Sequence, residues 1–484
     1  MRTTIAIAPE TGSHRMTSAP DDPAPGVGRL REPASSGAPS SPQGDQGTRG
    51  GARAHALNFS QLVGSHLGVA IAGLASLPLL ARNLGPAAYG QFSLFMTTLG
   101  VLSNLDLARP ILVRELARSD ARGSATAQSL ALTSALALAA VAFGVGVALQ
   151  GLGVGSALGV AVLLHGASAA AYADLSGRGK VGLAGSVRNG FWAGALALTV
   201  ALSFATTTPH AYIWAFAAAN LGILATYWRL ADARLGAFFV APRARLLHVH
   251  RSQAGNIAAF AGASAVVASA DKMLLEHHAP KDAFGHYAAQ YDLATKINIV
   301  STALGSILLP AFARLHETSG RDAAARRFVH VASWITLAYF VVIGSLVVFH
   351  REVMDLVLGR GFAQGLDVDV YALMLVGVFI HLFGFLLTAY QRACGDFRTH
   401  RIAYIGSATL MVVVGLFAIP RFGALGAAIT YLCGRTAELT LIGVEVCRMP
   451  RAVLPRWRLA ALGSMVAVLA ATALFTFLQG AQPV

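Results

Sequence analysis

The chain has 484 residues, of which 55% are hydrophobic and only 12% charged, about half the ~25% charge of an ordinary soluble domain. That composition excludes a chain folding in water as two or three soluble domains, because it must find an apolar solvent. The net charge of +14 would suggest nucleic acid in a soluble protein, but Lys and Arg here sit between apolar runs, which points to orientation in a membrane and away from nucleic acid.

Residues 1–54 are rich in Pro, Gly, Ser and Asp and hold no sustained apolar run, so the sequence predicts a disordered tail. MRTTIAIAP lacks the apolar core of a cleaved signal, and the tail is expected to be retained on the cytoplasmic side. From Ala56 onward, apolar stretches long enough to cross a hydrocarbon core of ~30 Å recur. They are predicted near 57–81, 88–110, 124–149, 153–173, 189–206, 210–228, 254–276, 284–312, 328–350, 369–391, 402–420, 422–446 and 459–480, about 13 transmembrane helices. Two uncharged tracts must be divided, at Gln150-Gly151 and at Thr206-Thr207-Thr208-Pro209. Gly151, Gly155 and Gly159 carry the small-xxx-small spacing of close helix packing, and no phosphate-binding glycine loop is present.

Positive residues are retained on the cytoplasmic face. With the tail inside, 29 of the 37 Lys and Arg fall in inner segments. The outer side takes Arg82, Lys272, Lys281, Arg351, Arg360 and Arg421, and Lys296 and Arg435 remain within spans. An incorrect helix count would scramble this alternation. An internal repeat is visible as well: Ala87-Ala88-Tyr89-Gly90-Gln91-Phe92 reads against Asp282-Ala283-Phe284-Gly285-His286-Tyr287. Six spans precede the basic linker Arg229 to Arg251 and six follow it, and an even number makes the halves parallel repeats about an axis along the membrane normal. The predicted fold is therefore all-α integral membrane: two six-helix bundles around a central cavity plus one extra C-terminal helix. The expected divisions are the tail 1–54, an N-terminal bundle with its basic linker 55–250, a C-terminal bundle 251–450 and an additional helix 451–484.

Charges within spans are costly and usually face a bundle interior or a water-filled cavity. Asp106 and Arg109 lie in the second span, and Arg109 is near enough its inner end to snorkel. Lys296 lies deep in the eighth span with Asp292 at i,i−4, and Arg435 and Glu438 are at i,i+3 in the twelfth. Each is either a structural ion pair or part of a cavity lining. Arg82 follows the first span and reads equally as a surface charge. Tyr287, Tyr291 and Trp192 could stack on sugars, although packing or a membrane belt is the plainer reading. His381 within the tenth span reads as a packed neutral histidine or a proton carrier. The spacings of His277/His278 and His248/His250 do not suit a metal, and Cys394, Cys433 and Cys447 form no CxxC pair, so neither a zinc site nor a disulfide framework is expected.

Three stretches, ARNLGPAAYGQFSL followed by NLDLARPILVRELAR, GHYAAQYDLATKINIV and AIPRFGALGAAIT, resemble the polysaccharide-exporter, O-antigen-flippase branch of the multidrug/oligosaccharidyl-lipid/polysaccharide transporters, and together they cover nearly all of the chain after residue 55. The resemblance implies a flippase, not an enzyme, that moves undecaprenyl-pyrophosphate-type lipid-linked oligosaccharide across the bacterial inner membrane by alternating access. Lipopolysaccharide or exopolysaccharide synthesis would then supply its partners, a polymerase and glycosyltransferases. Such a cargo carries a strongly anionic head, for which Arg and Lys are the suited side chains. Arg82, Arg109, Lys296 and Arg435 are therefore the candidate substrate contacts, while Asp106, Asp292 and Glu438 either couple ions or pair with those bases. No cofactor is expected.

Two rivals remain. A cation-coupled multidrug exporter of the same superfamily would favour an acid in the first span, and 57–81 has none; the LGPxxYG wording also favours the polysaccharide branch over a peptidoglycan-precursor flippase. A membrane-embedded polymerase or ligase would need catalytic acids outside the membrane, and the only cluster is Asp355, Asp367 and Asp369, the last two a lone DxD.

Overall fold

Gly85 sits in the left-handed region (φ 71°) immediately before Pro86, whose ring presets φ and whose missing N–H suits the first turn of a helix. Together they divide α1 (Gln46–Asn104) into two helices. The computed structural model describes residues 46–104, 121–177, 180–231, 244–363, 366–394 and 398–443. Asp106, Arg109, Cys447 and the expected last span at 459–480 lie outside them. Residues 1–51 and 52–484 form separate units, and all that follows concerns the second.

After α1 come α2 (Ala121–Gln150), α3 (Leu152–Gly177), α4 (Val181–Ser203) and α5 (Pro209–Ala231). The second half holds α6 (Ala244–His278), α7 (Lys281–Thr295), α8 (Asn298–Val348), the short α9 (His350–Leu358) and α10 (Arg360–Ala363), α11 (Val368–Ala393) and α12 (Arg398–Gly443). α8 and α12 are again two helices each, meeting at Gly320 and Gly423. The breaks expected at Gln150-Gly151 and before Pro209 are where α2 and α4 end and α3 and α5 begin. Among the described residues every regular element is a helix, and six helices are long and apolar enough to cross a membrane. In a bilayer this is required, because a helix satisfies its own backbone donors and acceptors where no water can.

Large apolar side chains recur at helical spacing on outward faces, as at Leu67, Ile71 and Leu74 on α1, and Trp334, Leu337, Val341 and Val348 on α8. Exposed apolar stripes of this extent belong against acyl chains. Inside, α3 packs on α2, α4 and α5, while α11 packs on α7, α8 and α12, and α6 lies along α12. The α2–α3 contact explains the small-residue spacing: a Cβ on Gly155 would stand 2.8 Å from the Val147 backbone nitrogen, so the helix backbones nearly touch.

The Asp367-x-Asp369 pair has a structural explanation. Asp367 is the N-cap of α11, its carboxylate accepting the Asp369 N–H at 3.0 Å, which is the ordinary use of Asp at a helix start. Asp367→Ala is expected to lower stability by about 1 kcal/mol and to leave any transport activity intact; thermal unfolding in detergent alongside a transport assay checks both halves.

Candidate functional site

The path of the eighth predicted span is interrupted. α7 stops at Thr295 and α8 starts at Asn298, and at the joint Val300 donates to the carbonyl of Ile297, an i→i+3 bond of 3.1 Å. Such a tightened turn within a long helix marks a hinge or a site, and interrupted helices at depth are tolerated where they line a cavity or are buried in protein. Lys296 stands in this joint. Its ammonium faces α1 at Gly73, 3.6 Å from where a Cβ on that glycine would lie, with Leu196 of α4 beside it. Among the described residues no group stands within hydrogen-bonding distance of Lys296 Nζ. A side chain of the second half thus presents to helices of the first a cation that lies in the field of Asp292 but makes no hydrogen bond among the described residues.

Asp292, one turn before Lys296, takes a different partner from the one its spacing suggests. Its Oδ1 is 2.9 Å from Lys272 Nζ, while Oδ2 accepts hydroxyl bonds from Tyr89 and Ser93 of α1, each 2.9 Å. Lys272 also donates to the hydroxyls of Ser93 and Thr97, at 3.0 and 3.3 Å, and lies 4.1 Å from the Tyr291 ring centroid, a favourable cation–π placement. The sequence reading counted Lys272 with the outer side; only 2% of it is exposed. The reason is that α6 runs on to His278, which sets Lys272 roughly 9 Å inside the helix end. Its neighbour Asp271 is also buried and receives the Tyr287 hydroxyl. Neither residue was singled out by sequence. The available signal was the Asp271-Lys272 pair itself, an acid next to a base inside the expected span 254–276.

Arg435 and Glu438 do pair, at 2.7 Å. Arg435 also points at His381 Nδ1, 3.0 Å away; because guanidinium only donates, this ring nitrogen accepts. The guanidinium lies 5.1 Å from the Tyr431 ring centroid. With both charged groups buried, this cluster joins α11 to α12 within the second half and presents its cation to its own acid. Arg82 is elsewhere again: its Nη2 donates to the Leu356 carbonyl at 2.8 Å, tying α1 to α9. Of the proposed aromatic contacts, Tyr287 and Tyr291 are buried and Trp192 packs edge-on against His165 and Phe216, so all three rings are engaged in packing. The sequence-nominated residues therefore divide: Lys296 and Asp292 share one locus between the halves, Arg435 with Glu438 forms a second inside one half, and Arg82 stands at a third. Chemically, the first locus offers a bare ammonium beside a neutralised Lys–Asp pair, which suits an anion.

No protein-family model matches the sequence, and no curated protein is significantly similar to it. Solved structures are similar in fold. The lipid II flippase MurJ in an inward closed conformation superposes with a TM-score of 0.65 over 84% of this chain and 91% of its own, at 10% identity. An inward-facing multidrug resistance MATE family transporter of the MOP superfamily gives 0.52 over 86% and 96%, at 12% identity. A MATE protein in the straight conformation also gives 0.52, over 87% and 96%, at 13% identity. By these likenesses the chain has the all-helical membrane fold that MurJ and the MATE transporters share.

Proposed function

We propose that the protein is a flippase that carries lipid-linked oligosaccharide, of the undecaprenyl-pyrophosphate type, across the bacterial inner membrane for surface polysaccharide synthesis. The observation that carries this reading is the unpartnered Lys296 ammonium facing α1 at the α7–α8 joint. An ammonium held deep in an apolar layer is costly, and a phosphate head is a ligand that compensates it. The fold shared with a lipid II flippase supports the same reading. The distribution of Lys and Arg supports a cytoplasmic N-terminus and puts the Gly85 end of the molecule outside. In this scheme glycosyltransferases would build the cargo on the inner face, and a polymerase would consume it on the outer one.

The MATE likeness keeps a multidrug exporter as the second reading, but a bare ammonium between the halves repels cationic drugs. The test is a proteoliposome assay of a fluorescent polyprenyl-pyrophosphate oligosaccharide. Lys296→Ala is expected to slow its translocation roughly 10- to 100-fold, corresponding to a lost charged hydrogen bond of about 1.5–3 kcal/mol. An unchanged rate would sink the flippase reading, and cationic dye export by a protein that moves no lipid would establish the exporter.

A further inference from the structure

Polar side chains tie α1 to α4 at three levels. Ser186 Oγ donates to the Gln61 carbonyl at 3.4 Å. Asn189 Nδ2 donates to Ser65 Oγ at 2.9 Å and stands 3.3 Å from His66 Nδ1, and Asn83 Nδ2 donates to Ser203 Oγ at 2.9 Å. Residue numbers rise together along the two helices, so they run parallel. Between the second and third levels, Gly73 of α1 and Leu196 of α4 meet the Lys296 ammonium. His66 precedes Gly73 by seven residues and Asn189 precedes Leu196 by seven, and seven residues return a helix to the same face within about 20°. The Asn189–His66 pair therefore stands on the faces that meet Lys296, two turns or about 10 Å away, toward the end of the molecule opposite Gly85.

The Asn189 side chain is buried, with 6% exposed, and spends both amide hydrogens, on Ser65 and on His66. Its Oδ1 has no hydrogen-bond partner among the described residues, and a buried acceptor without a donor is costly. A ligand that brings a donor removes that cost. Because His66 Nδ1 accepts from the amide, its ring is neutral with the proton on Nε2. One turn along α4 from Asn189, the half-buried Trp192 is held edge-on by His165 and Phe216. Nothing in this group is charged, so it has no particular claim on a phosphate. A sugar ring, with hydroxyl donors round its rim and an apolar face, matches an aromatic wall with a few placed polar groups.

We infer that Asn189, His66 and Trp192 form a subsite for the first sugars of the cargo, two turns from the ammonium that takes its phosphate. Recognition is thereby divided between charge at Lys296 and hydroxyl groups at Asn189. The assignment rests on the flippase reading for the lipid that carries the sugar, and the experiment separates the two. Translocation in proteoliposomes is compared for two fluorescent lipids, a bare polyprenyl pyrophosphate and the same lipid carrying chitotriose; the readout is the ratio of the second rate to the first. Asn189→Leu keeps the side-chain size and removes the amide, and is expected to lower this ratio roughly 2- to 10-fold, the worth of one neutral hydrogen bond. Lys296→Ala should slow both lipids and leave the ratio unchanged. If Asn189→Leu does not reach the membrane, His66→Ala decides by the same comparison. An unchanged ratio in the variant that folds would make the amide a tie between helices and overturn the subsite. Should the parent move neither lipid, the flippase reading fails, and titration calorimetry of free chitotriose with the purified protein decides the subsite: saturable binding weakened by Asn189→Leu upholds it, and no binding, or binding equal in parent and variant, overturns it.

Discussion

Asp292→Ala is expected to lower the free energy of unfolding by about 3 kcal/mol, the low end of the cost of removing one partner from a buried ion pair, because Lys272 is buried and Asp292 partly so. Three groups lose their acceptor at once. Lys272, with 2% of its surface exposed, is left with the Ser93 and Thr97 hydroxyls, the Tyr291 ring and the field of its neighbour Asp271, and the Tyr89 and Ser93 hydroxyls lose the oxygen they donate to. Asp292→Asn separates these terms, because its amide oxygen can still accept from one hydroxyl while Lys272 loses its ion-pair partner. Its cost is expected between that of alanine and zero. The double change Lys272→Met with Asp292→Leu removes both charges together, and replacing a buried pair by apolar groups is often neutral; it is expected to recover most of the loss. Denaturant titration in mixed micelles supplies all three values. If Asp292→Ala and the double variant were equally damaged, the loss would belong to packing and not to charge.

How much of this was legible in the residues depends on what sets each feature. Helix positions followed from runs of apolar residues, since a bilayer imposes one length scale and one permitted structure on each crossing. The breaks were visible because Gly151 and Pro209 punctuate otherwise uniform tracts. The pairing of Arg435 with Glu438 was readable because both lie on one helix, where spacing fixes distance. Asp292 defeated the same rule: its helix neighbour Lys296 was available at i,i+4, yet Lys272 on the preceding helix sits closer to the carboxylate and brings the α1 hydroxyls with it. A contact between helices depends on rotation about each axis, and spans that are apolar nearly all round carry no periodic stripe to define that rotation. For the same reason Arg82 could be located at the end of a helix but not on Leu356, and the repeat could be seen without the knowledge that its Gly90 and Gly285 touch.

The remaining large effect sets stability against function. Arg435→Ala is expected to cost about 3–5 kcal/mol, because Glu438 is buried and loses the donor at 2.7 Å. Lys296→Ala is expected to leave unfolding unchanged or to stabilise slightly, since the ammonium it removes has no bonding partner among the described residues and is itself the costly group. Transport should respond in the opposite order. Per folded molecule, Arg435→Met with Glu438→Leu should translocate the lipid-pyrophosphate probe at close to the parent rate, since that pair is neutral and internal to its half, whereas Lys296→Ala should be roughly 10- to 100-fold slower. Unfolding and translocation measured on the same preparations therefore test the division between a cation that holds the fold and a cation that holds the cargo. If the Arg435 and Glu438 double variant folds but loses translocation while Lys296→Ala keeps it, the anion is recognised inside the second half and the assignment of the two loci must be exchanged.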